Sequence, residues 1–107
     1  MPTTLKNASA TLTTTLTTAI YTAPSGSGNT ARVEHIVISN SSTAGTITLS
    51  VFDSSANTTT ELLNAVSITA NGVLELANII LEASDQIRAG YATAVGSKIY
   101  LGIVENT

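Results

Sequence analysis

The chain has 107 residues, the size of one ordinary domain, with four cations, seven acidic residues and a net charge of −3. The cations Lys6, Arg32, Arg88 and Lys98 are scattered, which argues against nucleic-acid binding, because phosphate recognition needs a clustered basic surface. The sequence contains no cysteine, which argues against disulfides and thiolate metal sites. No apolar run approaches the roughly 18 residues of a membrane span, which argues against membrane insertion.

The surface is predicted to be neutral and rich in hydroxyl groups. Charged residues make up 10% of the chain, against about 25% in an average soluble protein. Nineteen threonines and 12 serines replace them, and threonine also suits a pleated strand. Because densely charged surfaces repel one another, a charge-poor surface suits close packing in an array.

Residues 1–18 are predicted to form an extended threonine-rich arm or a first strand, and residues 19–107 a β-sandwich domain. The segment TLTTTLTT, Thr11–Thr18, favours a strand with Leu12 and Leu16 on one face, and a flexible low-complexity arm is the alternative. Ala19–Ala23 is expected to be extended, and PSGSGN, residues 24–29, to form a turn or loop.

Two strands are predicted in the middle of the chain. ARVEHIVISN, residues 31–40, places Val33 and Val37 on one face and Ile36 and Ile38 on the other, which indicates a bulged central strand or one covered on both sides. After a turn at residues 39–45, the segment 46–53 alternates with period two. Its inward side chains are predicted to be Ile47, Leu49 and Val51, and its outward ones Thr46, Thr48 and Ser50.

The C-terminal half continues as short strands separated by turns. Residues 54–60 are predicted to form a loop, followed by a strand region with Leu62, Leu63, Val66 and Ile68. Asn71-Gly72, lying between strand-like runs at 67–70 and 73–76, predicts a type I′ hairpin. Strands at 79–81, 86–93 and 98–104 follow, with Ile99, Leu101 and Ile103 on one face. Seven to nine short strands predict an all-β fold, an antiparallel β-sandwich or jelly roll.

No catalytic, cofactor-binding or metal-binding residue is predicted, and we expect no enzyme. The single histidine, His35, lies in the strongest strand without a triad motif, so we place it at a rim or subunit contact. The acids are spread singly and fit solvated strand ends; they are Glu34, Asp53, Glu61, Glu75, Glu82, Asp85 and Glu105. Tyr21, Tyr91 and Tyr100 favour a sandwich rim or an oligomer contact over a sugar-binding platform.

The run from residue 19 to residue 93 resembles small virion proteins of tailed bacteriophages. Their pattern begins with an aromatic-threonine-alanine-proline step and a glycine turn. An arginine-valine strand that ends in asparagine follows. Late in the chain the pattern has a leucine, then glycine-aspartate, then a turn with alanine. Ser84 departs from it, since the pattern has glycine there, and a turn that needs positive φ would be strained by serine. The matching residues are Tyr21, Pro24, Arg32, Val33, Asn40, Leu81, Asp85 and Ala89.

The resemblance implies a β-sandwich subunit used in capsid decoration or cementing, or in a tail or fibre. We expect a non-enzymatic capsid decoration protein without cofactors that forms homo-oligomers, with a trimer favoured, and bridges shell subunits. Its partners would be the major capsid protein or other virion proteins, with neither nucleic acid nor membrane bound, and its location the virion, assembled in the host cytoplasm. A tail or fibre component that binds a host glycan is the alternative. The predicted assembly contacts are Leu5, Leu12, Leu16, Tyr21, Tyr91 and Tyr100.

Overall fold

The computed structural model describes residues 3–16, 18–41, 43–92 and 96–107, and within these ranges it contains nine strands and no helix. Residues 1, 2 and 17 of the predicted arm, residue 42 of the predicted turn at 39–45 and residue 93 of the predicted strand at 86–93 lie outside the described residues. The strands are β1 (Thr3–Thr11), β2 (Ala19–Thr22), β3 (Thr30–Ser39), β4 (Gly45–Asp53), β5 (Thr58–Ile68), β6 (Val73–Leu76), β7 (Ile79–Glu82), β8 (Gln86–Tyr91) and β9 (Lys98–Asn106).

The strands form two antiparallel sheets. Strand pairs that are far apart in the sequence enclose pairs that are closer together in it. Sheet A has the order β1-β9-β3-β6, with β7 also on β3, and sheet B has the order β2-β8-β4-β5. Around the central β4–β5 pair, β3 joins β6 and β7, β2 joins β8, and β1 joins β9. This winding is that of a jelly roll, so the predicted all-β sandwich is confirmed.

The core lies between the two sheets and is built by period-two alternation. Ile99, Leu101 and Ile103 on β9 are all buried, as predicted. On β4 the prediction that Thr48 and Ser50 face solvent is wrong, because both are buried. The register of β5 shifts twice against β4, and the Ala65 backbone N–H donates to Thr48 Oγ1 at 3.2 Å.

A bulge in β3 decides which of its apolar residues reach the core. The pairing of β3 with β9 shifts register between Val33 and His35, so Glu34 is an extra residue in β3. The extra residue turns Val33 to the same side as Ile36, and both side chains are fully buried. The bulge is confirmed, whereas the prediction that Val33 and Val37 share a face is wrong, since Val37 is only half-buried.

The threonine-rich segment after β1 is not a strand. β1 ends at Thr11, and Leu12 is 2% exposed whereas Leu16 is 39% exposed, so the predicted shared face is wrong. The segment leaves sheet A and crosses to sheet B, where the Tyr91 N–H donates to Thr13 O at 2.9 Å. Crossing between sheets breaks the alternation that a continuous strand would keep, and it places Leu12 in the core.

The Asn71-Gly72 turn joins the two sheets instead of closing a hairpin. Its preceding strand, β5, belongs to sheet B and its following strand, β6, to sheet A, so the predicted type I′ hairpin is wrong. Asn71 has φ of 58°, whereas Gly72 does not have positive φ. The Gly72 N–H donates to Thr69 O at 2.9 Å, which closes a turn with positive φ at its third position only.

Candidate functional site

The most unusual surface is the side of sheet A that faces away from sheet B, here called the outer face. Side chains directly opposite one another across paired strands point to the same side, so the register defines rows on this face. One row runs Leu5, Val104, Arg32, Ile80 across β1, β9, β3 and β7. Leu5 is 79% exposed and Ile80 is 73% exposed. Large apolar side chains therefore stand at both ends of this row.

A second row on the outer face runs Ser9, Tyr100, Val37, Glu75. Tyr100 is 48% exposed and borders a groove of about 390 Å³. The groove is lined by Ser9, Ala10, Thr11, Val37, Ser39, Lys98, Ile99 and Tyr100. Its walls are hydroxyl and apolar groups with a single lysine, so a ligand or protein segment entering it would meet little charge.

Exposed apolar side chains concentrate on the outer face. Among the described residues, the exposed large apolar ones are Leu5, Leu16, Leu62, Val73, Ile80 and Tyr100. Four of these six belong to sheet A and face outward by register, namely Leu5, Val73, Ile80 and Tyr100. Four such side chains on one face, with Leu5 and Ile80 on strands at its opposite edges, make this face the part of the described surface best suited to contact a partner.

The charges on the outer face balance one another. Arg32 Nη2 lies 3.4 Å from Glu34 Oε2, and both side chains are about half exposed. Lys98 and Glu75 are also exposed on the outer rows. His35 is exposed beside Gly102, where its Cβ lies 3.9 Å from the position that a Cβ on the glycine would take. A surface with paired charges of both signs has no net field that would repel a neutral protein partner.

A buried carboxylate under the edge of sheet A links three strands. Glu105 on β9 is 7% exposed, and the hydroxyl of Tyr21 on β2 donates a short hydrogen bond to its Oε2. Lys6 Nζ on β1 lies 3.5 Å from the same oxygen. Burial, then the hydrogen bond and the negative charge of Glu105, raise the pKa of Tyr21 well above its usual value. The phenol is therefore held neutral as a donor, and the cluster ties β1 and β9 of sheet A to β2 of sheet B.

Three acids that the sequence analysis expected to be separate come together beside a turn. The carboxylate oxygens of Asp53, Glu82 and Asp85 lie within 4.8 Å of one another. Asp85 is buried and accepts hydrogen bonds from the Ser54 N–H at 3.1 Å and the Glu82 N–H at 3.0 Å. Hydrogen bonds from the Ser55 hydroxyl and then from the Ala56 N–H lower the pKa of Asp53.

The carboxylates of Asp53 and Asp85 accept hydrogen bonds from backbone N–H groups of two turns and so stabilise these turns. Their oxygens are also of the type that binds a hard cation. The Asp85 N–H donates to Glu82 O at 3.1 Å, and Ser84 between them has φ of 66°. The positive φ that the sequence analysis considered for this turn is therefore present.

The six predicted contact residues do not form one surface. Leu5 and Tyr100 lie on the outer face, and Leu16 lies on the segment that crosses Gly90. Tyr91 is half-buried against the core, and Leu12 and Tyr21 belong to the core itself. The three tyrosines lie apart, so they provide no shared aromatic platform for a sugar.

Two exposed residues of the outer face were missed from the sequence. Ile80 lies between the inward-facing Ile79 and Leu81, so simple alternation would have directed it to solvent. Val73 follows the Asn71-Gly72 turn. The side to which its side chain points could be predicted only if β6 was known to belong to sheet A. The described part of the chain contains no helix of the length and apolarity needed to cross a membrane.

No protein-family model and no curated protein matches the chain. A solved structure of the infectious bursal disease virus Gx strain is similar over 96% of this chain and 32% of that chain, with TM-score 0.53 and 8% identity. The cyanophage Pam1 capsid asymmetric unit matches 96% of this chain and 83% of that chain, with TM-score 0.42 and 15% identity.

A third match is the Clostridium thermocellum xylanase 10B, solved as CBM22-1–GH10 modules with xylohexaose. It covers 78% of this chain and 17% of that chain, with TM-score 0.39 and 13% identity. The chain spans about a third of the length of the bursal disease virus chain, and that likeness shows a shared fold. The cyanophage and xylanase matches are too distant to add to it.

Proposed function

We propose that this chain is a virion structural protein and, more specifically, a capsid decoration or cement protein that attaches to shell subunits through the outer face. One solved structure with which it shares its fold is that of a virus. Jelly rolls are common in viral capsids, but one fold serves many functions. The proposal therefore depends on the surface.

The observation that carries the proposal is the concentration of exposed apolar side chains on a charge-balanced face. Burying Leu5 or Ile80 would contribute roughly 1.5 to 3 kcal/mol each. Association of two proteins costs about 4 to 15 kcal/mol in lost freedom, so one such face supports only weak binding of a single copy. On a shell with many equivalent positions, linked copies bind much more tightly than single ones. This is the behaviour that a decoration protein needs.

The partner in this proposal is the major capsid protein or another virion protein, and the location is the virion. The sequence analysis favours a trimer as the oligomer, and the two-fold pairing of β1 proposed below is the alternative to it. A chain with 10% charged residues and many hydroxyl side chains has a charge-poor surface, which allows neighbouring subunits to pack closely.

The test is co-sedimentation of the isolated protein with shells of the phage that encodes it. Ile80→Asp places a charge on the outer face, and Leu62→Asp is the matched control, since Leu62 is an exposed apolar residue of sheet B. We expect wild type and Leu62→Asp to sediment with the shells and Ile80→Asp to remain in the supernatant. Equal sedimentation of the two variants would contradict the assignment of the outer face. No wild-type binding, together with absence of the protein from electron-microscopy maps of the particles, would refute the virion role.

The alternative, a tail or fibre component that binds a host glycan, has one observation in its favour. Tyr100 is half exposed beside a groove lined with hydroxyl groups, and a sugar ring stacks on such a phenol. A glycan array in which wild type binds a sugar and Tyr100→Ala does not would favour this alternative. Tyr91→Ala is the comparison, because that ring packs against the core.

A further inference from the structure

The four lateral edges of the two sheets differ in how well they could pair with another chain. β2 has four residues and a register shift, and β6 and β7 have four residues each, placed end to end along β3. β5 is long, but its register shifts twice and Ala65 within it has φ of 51°. Short or bulged strands are the usual protection of a sheet edge. Three of the four edges are therefore protected.

β1 is the exception. Its nine residues pair with β9 in unbroken register, from Thr3 opposite Asn106 to Thr11 opposite Lys98. It contains one charged residue, Lys6, whose Nζ lies 3.5 Å from the buried Glu105 carboxylate. As the terminal strand of sheet A, it presents a row of backbone N–H and C=O groups on the side away from β9. A long, regular and nearly uncharged edge is a template for an added strand.

We propose that β1 pairs in antiparallel fashion with β1 of a second copy of this chain, about a two-fold axis at Asn7. In this register Thr3 lies opposite Thr11 of the second copy, Leu5 opposite Ser9, and Asn7 opposite its own equivalent. All nine residues of β1 are paired, and the two copies of sheet A form one continuous sheet. The pairing does not depend on the virion role and concerns the isolated chain.

Complete pairing of the nine residues selects this register, and the distribution of charge is compatible with it. Residues directly opposite one another point to the same side of a sheet, so an outward residue of β1 must meet another outward residue. Of the registers that meet this condition, the one centred on Lys6 would place two lysines opposite each other, which is destabilising. The register centred on Asn7 places Lys6 opposite Ala8 instead. It therefore keeps every residue paired without opposing like charges.

The same register gives an apolar neighbour to Leu5, which is 79% exposed in the single chain. Leu5 of the second copy would lie on the outer face directly opposite Ser9. Ser9 lines the groove beside Tyr100 and is its cross-strand neighbour. Because serine is small, leucine and tyrosine on either side of it are able to meet above it. The exposed leucine, the groove and the half-exposed tyrosine are then parts of one contact.

A disulfide cross-link tests the two-fold axis directly, because the chain contains no cysteine. Directly opposed residues in an antiparallel pair have Cα atoms about 4.5 to 5.5 Å apart, within the range that a disulfide bridges. We expect Asn7→Cys to form a covalent dimer of two 10.9 kDa chains on mild oxidation. Asn64→Cys, at an exposed position on the β5 edge, is the matched control and should remain monomeric on a denaturing gel. No cross-link at Asn7, or equal cross-linking at both positions, would overturn the proposal.

Introducing a charge at the axis provides an independent test by sedimentation velocity. Asn7→Lys and Asn7→Asp each place like charges opposite each other, and each should weaken dimerisation roughly fivefold, the effect of about 1 kcal/mol between exposed charges. A mixture of the two variants should recover dimers, and Asn64→Lys should dimerise like wild type. A wild-type mass of one copy or three copies would overturn the proposal. These measurements use the isolated chain, so their failure leaves shell binding through the outer face to be decided by co-sedimentation. In the dimer the second copy covers Leu5, and the exposed apolar residues left for the shell on the outer face are Val73 and Ile80.

Discussion

The contact between Gly90 and the segment after β1 leads to a specific prediction of stability. A Cβ at Gly90 would lie 2.8 Å from Thr15 O, 2.9 Å from Leu16 Cα and 3.0 Å from Thr13 O. All three are backbone atoms, so no flexible side chain can move aside. Gly90→Ala therefore forces the crossing segment away from β8.

The expected loss of stability has two parts. Overpacking against a fixed backbone costs about 1 to 3 kcal/mol. Moving the segment also weakens the hydrogen bonds from the Tyr91 N–H to Thr13 O and from the Ala89 N–H to Thr18 O, each worth about 1 kcal/mol. The lower entropy of the unfolded alanine chain offsets about 0.5 to 1 kcal/mol. We expect the free energy of unfolding to fall by about 3 kcal/mol.

Urea denaturation followed by circular dichroism measures this change. Gly102→Ala is the matched control, since Gly102 also lies within a strand but its nearest neighbouring atom would be 3.9 Å from the new Cβ. We expect the free energy of unfolding of the control to equal that of wild type or exceed it by up to about 1 kcal/mol, because the new methyl group meets no close atom and alanine lowers the entropy of the unfolded chain. If both variants have the same free energy of unfolding, the close packing of the segment on Gly90 is wrong.

Two further substitutions test the buried carboxylate and the positive-φ turn. Tyr21→Phe removes the donor to Glu105 and should cost about 1.5 to 3 kcal/mol in urea denaturation at neutral pH. Because the folded state raises the pKa of Tyr21, wild type should lose stability as the pH rises above about 10, where the unfolded phenol ionises, and Tyr21→Phe should lack this component. Ser84→Gly should raise the free energy of unfolding by about 0.5 kcal/mol, since glycine adopts positive φ without strain; a decrease would show that the serine side chain stabilises the turn.

The fold class was predictable because alternation reports which side of a strand is buried. Ile99, Leu101 and Ile103 show this, and the apolar residues of β3 even indicated its bulge. Alternation does not report to which sheet a strand belongs. A turn such as Asn71-Gly72 reverses the chain in the same way whether the next strand joins the same sheet or the opposite one. The hairpin prediction failed for this reason.

The candidate site was less predictable, because it depends on pairs of strands distant in the sequence. Leu5 and Ile80 share a row only through the register of β1, β9, β3 and β7. The meeting of Asp53 with Asp85 likewise requires β4 and β8 to be neighbours. Composition predicted a neutral surface but could not locate its apolar part.

The nested winding also has a consequence for how the molecule folds. β1 pairs with β9, and Thr3 Oγ1 donates to Asn106 Oδ1 at 3.0 Å, across nearly the entire length of the chain. On the ribosome β1 emerges long before its partner strand exists, and closing so long a loop is slow because of its entropy. Attachment of β1 is therefore expected to be a late step of folding, after the inner strand pairs have formed.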